Sequence, residues 1–249
     1  ARIAMQTIQA MDPQYQTLIS EPLEAETSSP IRTRYVEDIP ARLYAKRPGY
    51  IQRIVFSHLS TVLQRPGLYL YLPVRPGDFV TEETVLAEVW PPEAADVACR
   101  KAIFASIYIE RERDFYQDAL FGVRQLADIA LRALSPAVND PTTAILCIKY
   151  LQAVLEHFVR YQPQPNVFHV AKGASILEVR QPTLREYLEV FLEIAHYAGG
   201  NTRVNQALLT ALQKIMELAE QLNLEEYQAF IIELMATIAA QHRIDSGVR

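Results

Sequence analysis

Residues Arg132 to Ala144 read RALSPAVNDPTTA, a short interval dense in Ser, Asn, Asp, Thr and Pro between two apolar, helix-patterned segments. Ser135-Pro136 ends the first segment, because the residue before a proline disfavours the helical region. Asp140-Pro141 opens the second. The Asp140 carboxylate can accept from the free N–H groups of a first turn and meets the positive end of the helix dipole. Pro141 brings a preset φ to the first helical position. The stretch therefore predicts one helix over Asp114–Ser135, a corner, and a second helix over Pro141–Tyr161.

Working outward, Leu120, Val123, Leu126, Ala127, Ile129, Ala130, Ala133 and Leu134 cover a wide apolar arc of the first helix. Arg124, Asp128, Arg132 and Ser135 form a narrow polar stripe at spacings that place neighbours one turn apart. So little polar surface predicts a helix more buried than a typical surface helix. Two readings of the corner compete. In one, the stripe is a set of ion pairs and Asp140 a helix cap. In the other, Arg124, Asp128, Arg132, Ser135, Asn139, Asp140 and Thr143 hold a ligand or anion at a helix N-terminus. Asp140 is itself an anion at that positive end, so the cap reading explains it without a ligand.

The rest of the chain sorts by periodicity. RIAMQTIQ opens with a loose amphipathic pattern, Asp12-Pro13 reads as a helix start, and EPLEAETSSP (21–30) as a polar linker. From Ile31 to Trp90 the pattern turns to β: RLYAKRPGYIQRI gives two short strands around Pro48-Gly49, LYLYLPV and VLAEVW further strands, and RPGDFV a tight turn. HLSTVLQRPG reads as a short helix between them. The order of these segments resembles the half-barrel of biotinyl/lipoyl-like domains, without the carrier lysine at a hairpin tip. After Ala94 the chain is mainly helical, interrupted by the hairpin NVFHVAKGASILEVR with Lys172-Gly173 at its turn. Helices follow over Leu184–Ala198, stopped by Gly199-Gly200, over Thr202–Leu222, and from Asn223 to about Arg243, with Asn223 as cap and Glu226 completing a capping box. The expected fold is α+β. Residues 1–30 form a membrane-proximal helix and linker. Residues 31–93 form a small β domain, half-barrel or sandwich-like. Residues 94–249 form a larger, mainly helical domain with one hairpin near 167–181.

Composition narrows the function classes. The chain has 249 residues, half of them hydrophobic, and a net charge of -5, which argues against a dedicated nucleic-acid binder. Cys99 and Cys147 stand far apart in apolar contexts, which suits two reduced thiols in a reducing compartment. No run approaches the roughly 18 consecutive apolar residues of a membrane span; FIIELMATIAA, from Phe230, is cut by Glu233. Phosphate loops, nucleophile elbows and zinc motifs are missing from the sequence. One Glu-x-x-His, Glu193 to His196, is half of a dimetal pattern that needs two. No catalytic residue, metal ligand or cofactor is assigned. Arg42, Lys46, Arg47 and Arg53 make a modest basic cluster that would suit anionic lipid headgroups if a membrane anchor precedes it.

A resemblance sharpens this picture. Gln117-Asp118, Phe121-Gly122-x-Arg124, Asp128-Ile129-Ala130-x-Arg132-Ala133-Leu134-Ser135-Pro136 and Asn139-Asp140-Pro141-x-Thr143-Ala144 resemble the signature of a bacterial family of predicted membrane proteins, domain of unknown function 2254. GYIQRI with RPGDFV, YAGGNTRVNQALL and the opening RIAMQTIQ are weaker echoes. The resemblance implies membrane helices ahead of Ala1 in the cell membrane, with this chain as the soluble part that follows them; the two lone thiols suit its cytoplasmic face. Its expected partners are the protein's own transmembrane segment and the membrane surface, with a homo-oligomer left open and nucleic acid excluded. The function expected is a non-enzymatic assembly or regulatory module. The rival is a ligand- or anion-binding domain, hydrolytic in one version, with its site at the 124–143 corner.

Overall fold

The structure, a computed structural model, describes residues 1–11, 21–22, 39–161, 166–170 and 175–246. The expected helix start at Asp12-Pro13, the linker after Pro22 and the Lys172-Gly173 turn lie outside the described residues. The fold is α+β, and the chain divides into two units.

The β unit takes Asp12–Asp118 and Gln164–Gln181. Its strands are β1 (Glu21–Pro22), β2 (Ala41–Tyr44), β3 (Gly49–Ile54), β4 (Tyr69–Leu72), β5 (Phe79–Val80), β6 (Val85–Trp90), β7 (Ile107–Glu110), β8 (Val167–Val170) and β9 (Ser175–Val179). They form a six-stranded sheet in the order β1-β8-β9-β4-β6-β2 and a three-stranded sheet in the order β5-β3-β7. Register follows from the two-residue period of a strand. Leu70 lies opposite Val89 on one side and Leu177 on the other, and all three are buried in one core. Tyr69, on the opposite face, meets Trp90 and Ile176 in a small second cluster.

The hairpin expected inside the helical part is a member of this sheet: β9 pairs in parallel with β4, and Phe168, Leu177 and Val179 enter the β core. The expected boundary near residue 93 moves for the same reason. Helix α2 (Val97–Ser106), capped by Asp96 accepting from the Cys99 N–H, buries Cys99 and Ile103 in that core, and β7 pairs with β3. The expected short helix at HLSTVLQRPG is a 3-10 turn over Phe56–Leu59, followed by further turns.

The helical unit takes Ala1–Met11, Ala119–Pro163 and Pro182–Arg249. It contains α1 (Arg2–Ala10), α3 (Ala119–Leu134), α4 (Pro141–Tyr161), α5 (Leu184–Ala198), α6 (Thr202–Gln221) and α7 (Glu225–Ser246). Its core is built from residues at helical spacing, among them Leu151, Leu155, Phe191, Leu208, Leu212 and Ile231, all fully buried. Each such side chain contributes on the order of 1.5–3 kcal/mol.

Two helix ends differ from expectation. Helix α3 begins at Ala119 and not at Asp114, because Gln117 and Asp118 use their side chains within the β unit. Asn223 ends α6 instead of starting α7. It takes a positive φ of 56°, its N–H bonds the Glu220 carbonyl, and the Leu224 N–H bonds the Ala219 carbonyl. That pair of bonds satisfies orphan carbonyls at a helix C-terminus.

Candidate functional site

The corner between α3 and α4 is closed by its own backbone. The N–H groups of Val138 and Asn139 both bond the Ser135 carbonyl, at 3.0 and 2.9 Å, and the Ser135 hydroxyl donates to the Arg132 carbonyl at 2.7 Å. Asn139 has φ 48°, a left-handed conformation that asparagine tolerates better than most residues. That residue turns the chain back, so the Asp140 N–H bonds the Ala133 carbonyl at 2.8 Å. The end of one helix is thereby tied to the start of the next.

Both carboxylate oxygens of Asp140 are engaged. Oδ1 accepts from the Thr142 and Thr143 N–H groups, each at 3.1 Å, and Oδ2 accepts from the Thr143 hydroxyl at 2.5 Å. The Thr143 hydroxyl, then the Thr143 and Thr142 N–H groups, hold the Asp140 carboxyl below its ordinary pKa. These donors favour the charged form.

The polar stripe of α3 is rearranged relative to the sequence reading. Arg124 donates through Nε to Asp128 Oδ1 at 2.7 Å and through one guanidinium nitrogen to both Glu193 oxygens, at 2.8 and 2.7 Å. The pairs with Asp128, then with Glu193, outweigh partial desolvation and raise the Arg124 pKa. Arg124 thus links α3 to α5, a contact invisible to a single-helix wheel. Arg132 is exposed and carries no ion pair among the described residues, so Asp128 has one arginine partner and not two. Ile129, expected in the apolar arc, is 39% exposed. The structure brings Ser135, Asn139, Asp140 and Thr143 into one turn structure, while Arg124 and Asp128 belong to the separate α3–α5 contact.

Glu193 and His196 do not converge: Glu193 faces Arg124, and His196 Nδ1 lies 3.1 Å from Gln241 Nε2. Among the described residues no group of three His, Cys, Asp or Glu side chains could hold a metal ion. The basic cluster leans on its own surface. Arg42 pairs with Glu88 at 2.9 Å, Arg47 with Glu110 at 3.5 Å, and Lys46 and Arg53 sit 4.0 Å from the ring centroids of Phe104 and Tyr108.

A charged cluster in the β unit was not anticipated. Asp118 is 4% exposed and receives Arg113 through Nε at 2.8 Å and a terminal nitrogen at 2.6 Å. Asp78 accepts from the Arg75 N–H at 3.0 Å and faces Arg180 at 3.5 Å. Gly77, at φ 93°, sits so close that a Cβ there would be 2.7 Å from Asp118 Cγ. Beside it, the Gln117 amide accepts from the Ile54 N–H at 2.8 Å and donates to the Ile54 carbonyl at 3.2 Å, as a neighbouring strand would. The Pro-Gly in RPGDFV signals the turn. Nothing in the local pattern points to a carboxylate forty residues later.

Residues 1–214 match the family described as predicted membrane protein, domain of unknown function 2254, and the chain belongs to that family. Two uncharacterized proteins, one of Mycobacterium bovis and one of Mycobacterium tuberculosis, are each 31% identical to it over 180 residues, covering 70% of this chain and 34% of the relative. The chain spans about a third of the length of these curated relatives. No solved structure matches it. Among the described residues no helix is long and apolar enough to cross a membrane.

Proposed function

We propose that this chain is a non-enzymatic assembly or regulatory module of a larger membrane protein, joined to membrane helices ahead of it and lying on the cytoplasmic face. The observation that carries the reading is the commitment of both Asp140 oxygens to the first turn of α4. The most chemistry-like residue of the strongest motif is occupied in holding the fold, and Arg124 likewise ties α3 to α5. Family membership supports the membrane context. The homo-oligomer and the contact with the membrane surface belong to the same proposal.

The test uses the full-length protein in its native membrane, with and without residues 182–249, which belong wholly to the helical unit. Loss of its assembled form on native gels after the deletion, together with wild-type assembly in Asp140→Asn, is the expected result. Full assembly without the segment, or turnover of a model ester or phosphoester by the purified protein that Asp140→Asn abolishes, would overturn the proposal. The competing reading, an anion- or ligand-binding corner, is favoured by one observation: Arg132 is exposed near Ser135 and has no ion pair among the described residues.

A further inference from the structure

An open groove of about 450 Å³ runs between α4 and α6, and its lining includes Ile145, Lys149, Gln152, Arg203, Gln206 and Ala207. Its volume falls within the range of small-molecule sites. Its lining surface is largely apolar, and its two charged lining residues, Lys149 and Arg203, are both cations. Both are exposed, and neither has an ion pair or hydrogen-bonded carboxylate among the described residues. This separates them from Arg42, Arg47, Arg65, Arg113, Arg124 and Arg180, each paired with Asp or Glu. Two of the polar lining side chains are already engaged. Gln152 donates to Glu156 at 2.6 Å, and the Thr210 hydroxyl donates to the Gln206 carbonyl at 2.8 Å.

We infer that this groove binds a single-chain anionic amphiphile, with its acidic head between Lys149 and Arg203 and its apolar body along Ile145 and Ala207. Each half of the ligand answers one feature. Both charges lining the groove are positive, so an anion held there is attracted by each. An inorganic anion would leave the apolar lining wet, and a neutral apolar molecule would leave both cations uncompensated. A ligand with one anionic head and one short chain satisfies both. The inference does not depend on the assembly reading, because none of the groove's lining residues is Asp140, Thr142, Thr143, Arg124 or Glu193.

Titration calorimetry of the purified chain with decyl phosphate tests it, with inorganic phosphate and decanol as half-ligands. The expected result is saturable binding of decyl phosphate, with each half-ligand at least about ten-fold weaker, since one lost interaction of ordinary size is worth a factor near ten. Lys149→Glu and Arg203→Glu should each weaken binding by about ten-fold or more. Ala207→Trp, which fills the groove, should abolish it. Both cations are exposed, so the charge variants should melt like the wild type, and Lys149→Gln is the milder second variant. Equal binding of decyl phosphate by the wild type and both charge variants would overturn the inference. So would equal affinity for decanol, equal affinity for phosphate, or unchanged binding in Ala207→Trp. Retention on phosphatidylglycerol vesicles without any binding of monomeric decyl phosphate would also reject it, in favour of a membrane-surface contact.

Discussion

Gly122→Ala is the substitution on which local helix preference and packing disagree most sharply. Gly122 lies inside α3 and is buried, and α1 packs over it. In an unpacked helix the change would stabilise by roughly 1 kcal/mol, since glycine is among the poorest helix formers. Here the new methyl would collide with the Thr7 hydroxyl oxygen and lie 2.8 Å from Thr7 Cβ and 3.0 Å from Thr7 Cγ2. Rotation about χ1 moves the hydroxyl but not Cβ, so α1 itself must shift. Thr7 is fully buried, and Ala4 is 4% exposed, so α1 cannot move without opening that interface. Overpacking of this kind costs about 1–3 kcal/mol. Set against the propensity gain, a net loss of up to about 2 kcal/mol is expected. Urea denaturation followed by circular dichroism measures it, and hydrogen exchange over residues 2–10 should rise. Thr7→Gly removes every clashing atom, so the double variant should be more stable than the sum of the single losses by about 1 kcal/mol or more. A Gly122→Ala protein more stable than wild type, with no coupling to Thr7, would refute the docking of α1 on α3.

Further outcomes follow from the same geometry. Cys99 and Cys147 are both buried and burial pushes both thiols up, so native protein should react slowly with a thiol reagent while denatured, unreduced protein yields two free thiols; a Cys99–Cys147 bridge in fresh material would contradict this. Gly77→Ala, forced into positive φ against the Asp118 carboxylate, should destabilise the β unit by about 1–3 kcal/mol in chemical denaturation. Arg124→Ala removes two partly exposed ion pairs, each worth about 0.2–1 kcal/mol, and the loss should shrink in high salt; a large, salt-independent loss would mean the contact is better shielded than its exposure indicates.

The helices were legible because each carries a period and punctuation. Pro141, Gly199 and the apolar spacing of Leu184–Ala198 bound α4 and α5 as read. The capping box of Thr183 and Glu186 was missed, although T-x-x-E ahead of an apolar run is its signature. Asn223 fits two roles in the sequence, because asparagine serves both as an N-cap and as a left-handed terminator, and only the path of the chain decides which. The hairpin belongs to the β unit, which its own residues do not reveal, because strand pairing is non-local: no spacing within NVFHVAKGASILEVR says that β9 will lie beside β4. The site divided the same way. Asp140 and Thr143 could be read from a single turn of chain, whereas Glu193 on Arg124 and Asp118 beneath Gly77 join positions that only the folded chain brings together.

Paired stability and ligand measurements on Asp140→Asn and Asp140→Ala across pH decide whether Asp140 holds a corner or performs chemistry. The folded carboxyl titrates below its ordinary value. Its contribution is therefore present above the unfolded pKa and is lost as pH falls through the folded one. At neutral pH the account predicts that Asn, which still accepts from the Thr142 and Thr143 N–H groups, stays close to wild type while Ala is clearly less stable. It also predicts that the advantage of wild type over Asn disappears in acid. An Ala variant as stable as wild type at neutral pH, with Ala and Asn alike abolishing a bound ligand or an activity, would contradict the account and make the corner a site.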